Sequence, residues 1–436
     1  MRSEKLWLIV LVLCMGGCRN TSPPTNPTPP PKNPFASLYT RITPIQVKAA
    51  PISEETQRAC NQFASELLQK LDKPGENLLF SPIALTLNLA MMLNGASGNT
   101  RASIARALGV EKVDEKVFNQ QMYSLLQKLR QSSGVTLYTV NGVWVDQQIK
   151  PKTDFLRTLV SYYEVQLWGT DFRNSGLAAR QINDWVAYQT RSTIRELFQP
   201  NDFADEVMAA VLVNALFFDG TWETPFPAEN TRPGKFFLEN GESREVPMMR
   251  SEGGALYMMT EDFQAVGLSY RSMGERFTFY LFLPYEHRTV GWMREQWTAE
   301  NWAKWRQQFH KSPGTIVMPR FQIEQHHDAN LQDALKAMGL EVAFDPHLAD
   351  FSRLADIPDI PEYREYRIRI AKVVQKAAIN LNEYGTRVVV ATGDSSGAAA
   401  ASVPFHLVVN RPFLFAIVHE ETGIVLVMGI IRDPAP

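Results

Sequence analysis

Helix-patterned segments crowd the first half of this chain and strand-like runs the second, a segregation that argues against a regular parallel βαβ protein. Apolar residues at helical spacing cover about 55–71, 82–94, 177–190 and 330–338, the third with Ile182, Trp185, Val186 and Gln189 at that spacing. Runs with strand character cover Leu137–Val145, Val207–Phe218, Phe277–Leu283, Arg367–Leu381, Phe405–Val409, Phe413–Val418 and Ile424–Ile430. The pattern predicts an α+β body. From residue 38 to the end this body is about four hundred residues long, enough on size alone for two or three domains. No proline-rich or charge-rich linker interrupts it and no internal repeat divides it, so one unusually large unit is the alternative to that size prior.

The N-terminus reads as a processing signal. Arg2 and Lys5 make a basic start, weakened by Glu4, and an apolar run from Leu6 to Met15 leads into Gly16-Gly17-Cys18. The run is too short to span a bilayer as a helix and ends in small residues, as an export signal does. Met15-Gly16-Gly17-Cys18 resembles the lipobox of bacterial lipoproteins, with Met15 where leucine is more usual. That resemblance implies a leader over 1–17 and acylation of Cys18. A lipid on Cys18 would hold the protein on a bacterial membrane surface, facing the periplasm or the exterior, without crossing it. A plain signal peptide and a secreted protein are the alternative. Residues 19–34 are mostly Pro, Thr, Asn and Ser, which cannot build a core, so 18–37 reads as the lipidated cysteine and its tether.

Charge and cysteine content narrow the function classes. With 44 basic and 46 acidic residues the net charge is −2, which gives no electrostatic argument for a nucleic-acid partner. Of three cysteines, the lipobox resemblance implies that Cys14 leaves with the leader and that Cys18 is acylated. Cys60 lies on the stripe Cys60, Phe63, Ala64, Leu67, Leu68, Leu71 and reads as a buried structural thiol. The mature chain then gains nothing from intramolecular disulfides despite an oxidising destination.

Candidate catalytic segments do not assemble. Gly393-Asp394-Ser395-Ser396-Gly397 invites comparison with the GDSGG nucleophile segment of trypsin-like proteases. A serine nucleophile needs a histidine base held by a third group, and no alanine-alanine-histidine-cysteine segment supplies one. His326-His327-Asp328 matches no ordered metal spacing and reads as a polar turn. There is no HExxH sequence and no glycine-rich phosphate loop, so the expectation is a protein that is not an enzyme and uses no cofactor.

The sharpest contrast in local chemistry lies near the C-terminus. Val373 to Glu383 reads as a strand leading outward. Tyr384-Gly385-Thr386, Arg387, Val388-Val389-Val390-Ala391 and Thr392 follow, and then a stretch almost wholly of Gly, Ser, Asp and Ala up to Ser402. The apex has too little apolar bulk to bury, and connections of this length in compact bodies are usually functional or disordered.

From roughly residue 45 to 434 the chain carries a series of short fragments whose order and spacing are informative. In the first half these are Asn77-Leu78-Leu79-Phe80-Ser81-Pro82, Leu89-Ala90-Met91, Gly95-Ala96-Ser97-Gly98-Asn99-Thr100 and Ile182-Asn183-Asp184-Trp185-Val186. Val213-Asn214-Ala215-Leu216-Phe217-Phe218, Gly220-Thr221-Trp222, Val246-Pro247-Met248-Met249 and Pro319-Arg320-Phe321 continue it. Asn382-Glu383-Tyr384-Gly385-Thr386, Asn410-Arg411-Pro412-Phe413-Leu414-Phe415 and Gly429 complete it. By the order and spacing of these fragments the sequence resembles the serpins, serine-protease inhibitors that act by conformational change.

The resemblance implies a serpin fold, with a large central β-sheet, additional sheets, a helical N-terminal half and an exposed reactive-centre loop over about 383–404. Ser81, Pro82 and Asn214 match the family's sheet-opening region, where Gln375 stands in place of the usual histidine before Lys376-Ala377. Trp222 and Glu383 fall where the inserted loop first enters; their ordinary alternatives are aromatic packing and a solvated charge. The implied partner is a serine protease, or a cysteine protease, that attacks the loop of a monomeric inhibitor. The freed segment then inserts as an extra strand and deforms the acylated protease. Such an inhibitor is held in a kinetically trapped state.

Counting from the Glu383-x-Gly385-Thr386 hinge places the scissile bond between Ala399 and Ala400, with Ala401-Ser402 and Ser395-Ser396 as other positions. Small residues throughout favour proteases with shallow primary pockets, resembling elastase or subtilisin-like enzymes. The hinge departs from the inhibitory pattern at Arg387, where an acidic residue is usual, and at Val388, Val389 and Val390 before Ala391, where small residues are usual. If Thr386 faces inward, Val388 and Val390 do too and ask for more room. A slow hinge would turn the inhibitor into a substrate, so a serpin-fold binding or structural protein is the alternative function.

Overall fold

The computed structural model describes residues 7–14, 42–130, 135–189, 195–203, 207–327, 329–356, 367–386 and 404–435. Strand β1 (Trp7–Cys14) is followed by α1 (Glu54–Leu71), β2 (Leu78–Phe80), α2 (Pro82–Gly95), α3 (Gly98–Ala107) and α4 (Glu115–Arg130). Next come β3 (Val135–Asp146), β4 (Lys150–Pro151), α5 (Thr153–Tyr163), β5 (Gln166–Thr170), α6 (Ser175–Gln189) and β6 (Val207–Thr221). Strands then dominate, with β7 (Arg232–Phe237), β8 (Ser243–Met259), β9 (Phe263–Ser269) and β10 (Phe277–Pro284). After α7 (Val290–Gln296) and α8 (Ala299–Arg306) the chain enters β11 (His310–Pro319) and β12 (Phe321–His327). It continues through α9 (Ala329–Leu335), α10 (Glu341–Phe344), β13 (Ala355–Asp356), β14 (Ile370–Asn382) and β15 (Gly385–Thr386). Last come β16 (Phe405–Val408), β17 (Phe413–His419) and β18 (Ile424–Ile431).

Capping and composition explain the two helices that matter most to the site. Ser53 accepts the Thr56 amide and starts α1, with Glu54 and Glu55 in the first turn where the helix dipole favours them. Ser81 caps α2 in the same way, and Pro82 fits the first helical position, where no amide donor is needed. Every residue of α2 is buried, as expected of a helix that is apolar on all sides.

Two large sheets organise the rest, and the fold is α+β as the sequence pattern predicts. In the central sheet β12 pairs antiparallel with β14, and β6, β3 and β5 extend the other side. The second sheet runs β16, β11, β8, β9, β10, β17, β18, β2, with β7 added to β8. The faces meet through aromatic contacts such as Phe218 with Phe277 and Phe321 with Phe415, whose ring centroids lie 5.9 and 6.2 Å apart. One contiguous core extends from Ala59 to Ile431, and a smaller one gathers Trp144, Trp185 and Phe198 under α6. Cys60 is buried in the main core, as expected, and burial pushes its thiol up to about 12, so it is inert in the folded chain.

The lane between β6 and β14 is filled by two separate segments. At its top β15 pairs antiparallel with both, Thr386 lying opposite Gly220 and Leu381. Lower down β1 runs parallel to both, from Trp7 opposite Val207 to Cys14 opposite Ala215 and Lys376. The run that reads as a leader core is therefore a strand of the sheet in the intact chain, because a short apolar run suits a buried strand as well as an export signal. One expectation is corrected. His326 and His327 do not form a polar turn but end β12, opposite Lys376 and Gln375, where sheet pairing outweighs their polarity.

Candidate functional site

The residues singled out around the sheet opening fall into two clusters along β14. In the lower one, Ser81 and Gln375 are both completely buried. The Ser81 hydroxyl donates to the Leu426 carbonyl (2.7 Å) and accepts the Ala84 amide. Gln375 clasps the Ser81 backbone from the neighbouring strand: its Nε2 donates to the Ser81 carbonyl (3.1 Å) and its Oε1 accepts the Ser81 amide (3.3 Å). An amide offers a donor and an acceptor side by side and does not titrate, so this clasp keeps its form at any pH at which the chain folds. Beside it, His327 places Nε2 2.8 Å from the Leu79 carbonyl. Asn214 lies on β6 opposite Asn141.

Replacing Gln375 by alanine orphans the buried Ser81 amide, whereas the Ser81 carbonyl still accepts from Leu85. The expected cost is about 1–3 kcal/mol for that donor, with a further loss from the vacated volume. A lower denaturation midpoint for Gln375→Ala, largely restored in Gln375→His, checks it.

The upper cluster holds the start of the loop. Trp222 is 1% exposed and stacks on Tyr270 with centroids 4.6 Å apart. Its indole Nε1 donates to the Asn382 carbonyl (3.0 Å) and its amide to the Tyr384 carbonyl (2.8 Å). Trp222 thus packs as an aromatic residue and also hydrogen-bonds the strand end at Asn382 and Tyr384. Glu383 is not a solvated charge. It is 5% exposed, accepts the Thr231 hydroxyl (2.8 Å) and pairs with Arg320 (3.4 Å), because the strand end turns its side chain back under the Thr231 segment.

Gly385 and Thr386 follow. Gly385 has φ +153°, and a Cβ there would stand 2.0 Å from the Gly220 carbonyl oxygen, so only glycine lets the chain pass so close to β6. Thr386 faces inward, 3% exposed, with its hydroxyl 2.6 Å from that of Tyr270. Burial raises the Tyr270 phenol far above its usual range, so it stays a neutral hydrogen-bonding partner.

Tyr270, Thr231 and Arg320 complete this cluster and were not marked as site residues. The first two carried no sequence signal, whereas Arg320 stands in a family-like fragment. Arg387, Val388, Val389, Val390, Ala391, Gly393–Gly397, Ala399, Ala400 and Cys18 lie outside the described residues. Among the described residues no helix is long and apolar enough to cross a membrane.

Chemically the arrangement offers packing and hydrogen bonds. Among the described residues neither cluster holds a nucleophile with a base, and both fasten the borders of one lane in the central sheet with hydrogen bonds. Comparison with known proteins gives this architecture a family. The family described as Serpin (serine protease inhibitor) matches residues 58–434. Mouse neuroserpin is 28% identical, over 82% of this chain and 86% of its own length. An uncharacterised serpin-like protein of Thermococcus kodakarensis is 29% identical, over 100% of this chain and 99% of its own. Among solved structures, the thermophilic serpin tengpin in its native state superposes with a TM-score of 0.79 at 26% identity, covering 90% of this chain and 98% of tengpin. The chain is a non-catalytic member of the serpin family of serine protease inhibitors.

Proposed function

We propose that this serpin is a suicide inhibitor of serine proteases whose loop is cut, holds the acylated protease and inserts into the lane between β6 and β14. The observation that carries this reading is the entry of Gly385 and Thr386 into that lane, antiparallel to both neighbours, with Thr386 buried. Extending their register would set Arg387 to Val390 opposite Asp219 to Leu216 and bring Ala391 to the level of Ala215, the level occupied by Cys14. Val388 and Val390 would then face inward with Thr386. The bait is the small-residue apex around Ala399 and Ala400, suited to an elastase-like or subtilisin-like serine protease, or to a cysteine protease of similar pocket.

The same reading assigns 1–17 to a lipoprotein leader, 18–37 to the lipidated Cys18 and its tether, and 38–436 to one inhibitory body, monomeric and held at a bacterial membrane surface. Cleavage before Cys18 removes β1 and vacates the lower lane. The test is incubation of two chains with an elastase-type protease, one of full length and one starting at Cys18, with denaturing gels and intact masses. The chain starting at Cys18 should form a denaturation-resistant complex, and the chain retaining β1 should be cleaved without one. Stoichiometric cleavage of the shorter chain with no complex and no gain in thermal stability sinks inhibition.

A second reading, a serpin-fold binding or structural protein, has its own support. The family match alone is equally satisfied by it, and the Gln375 clasp together with the branched valines of the hinge favours a sheet that stays closed. The same experiment decides between the two.

A further inference from the structure

Away from the lane, three ligand-type side chains converge where the β9–β10 turn meets the β17–β18 turn. Glu275 precedes β10, His419 ends β17, and Glu421 lies two residues further on. The His419 side chain is 0% exposed, and its Nε2 lies 2.8 Å from Glu275 Oε2 and 3.3 Å from Glu421 Oε2. All three donor atoms fall within 4.8 Å of one another.

The outer contacts aim these atoms inward. Lys128 holds the other oxygen of Glu275 at 2.7 Å, and the Arg276 side chain holds the other oxygen of Glu421 at 2.9 Å. The Arg276 amide also donates to Glu421 Oε2 (3.0 Å), and the Thr422 hydroxyl lies 2.8 Å from His419 Nδ1 and fixes the ring. One ring nitrogen carries at most one proton, yet two carboxylate oxygens converge on it. A dication answers that geometry better than a proton does. Zinc bonds to imidazole and carboxylate of about 2.0–2.2 Å put tetrahedral ligand atoms roughly 3.3–3.5 Å apart, within the range spanned here. Hydrogen bonds to the far side of each ligand are what such sites use to orient their ligands.

We propose that Glu275, His419 and Glu421 bind one zinc-class divalent cation, with the remaining coordination position open toward solvent past the partly exposed Glu421. The donor set of one imidazole and two carboxylates selects zinc, or cobalt in its place, over magnesium. Binding displaces the proton from His419 Nε2 and ties the two turns together.

The test titrates zinc chloride into the full chain against a chromogenic chelator, with magnesium chloride as control and cobalt as a spectroscopic probe. One equivalent should bind, and cobalt should give visible absorption bands. His419→Gln should abolish those bands, and Glu421→Gln should weaken zinc binding at least about tenfold, a loss that even an outer-shell partner typically causes. Glu421 is exposed enough for its variant to keep the fold, checked by circular dichroism in chelator, so it decides the matter should His419→Gln fail to fold. A full chain that leaves zinc with the chelator, or a Glu421→Gln chain that binds it as tightly, overturns the site.

Discussion

Thr386→Arg should abolish trapping while leaving loop cleavage intact. The side chain at this position is buried between the Gly220–Thr221 and Leu381–Asn382 segments and hydrogen-bonds Tyr270. A guanidinium there would lose that bond and be forced against the aromatic wall of Tyr270 and Trp222, a burial of charge that costs several kcal/mol. The alternative is for the hinge to swing out, unpairing β15. Either way the insertion barrier rises, and each 1.4 kcal/mol or so slows insertion about tenfold while hydrolysis of the acyl-enzyme continues unchanged. A rise of about 4 kcal/mol therefore shifts the outcome by roughly a thousandfold toward substrate behaviour. Made in the chain starting at Cys18, Thr386→Arg should give cleaved chain and free protease on gels, with Thr386→Ser, which keeps the hydroxyl, still forming complex. Complex formation by Thr386→Arg at an unchanged level would remove the lane from the mechanism.

How much of this was legible in sequence depends on the distance over which each contact acts. Helix α1, expected over 55–71, spans Glu54–Leu71, and α2, expected over 82–94, spans Pro82–Gly95, because stripe and cap are local signals. Helix α4 carried a readable stripe of Phe118, Met122, Leu125 and Leu129 that the coarse pattern left out. Strand β8 offered little, since much of it is solvent-exposed and it contains Glu245, Arg250, Glu252 and two adjacent glycines; its pairing with β7, β9 and β11 makes it a strand. At the site, family resemblance marked Trp222, Glu383 and Gly385 but not what they touch. Glu383 meets Thr231 at a separation of 152 residues, and His419 meets Glu275 at 144, distances over which no periodicity or spacing speaks. The apolar run over Trp7–Cys14 reads as part of an export leader, and because leader and strand share that chemistry its pairing in the sheet had no separate signal.

Trp222 carries the largest expected effect on stability. Its indole fills the mouth of the lane, stacked on Tyr270 and edge-on to Phe279 at 5.8 Å, and it holds β14 by two donors, Nε1 to Asn382 and the backbone amide to Tyr384. Trp222→Ala deletes the ring but not the backbone donor. The lost packing should cost about 3–5 kcal/mol, and the lost indole donor about 1 kcal/mol more. Trp222→Phe separates the two, since it keeps an aromatic stack and loses the N–H. Denaturant unfolding should therefore place Trp222→Phe between the unaltered chain and Trp222→Ala, whatever the protein inhibits. The kinetic consequence belongs to the inhibitory reading, in which the native fold is a trapped one. Contacts between Trp222 and the strand end hold the lane's mouth in its native arrangement, so removing them lowers the barrier to loop entry as well as the native stability. With both chains starting at Cys18 and warmed without protease, Trp222→Ala should lose inhibitory capacity faster than its parent while becoming harder to unfold, the sign of spontaneous loop insertion. Loss of capacity with ordinary unfolding instead would make Trp222 a packing residue alone.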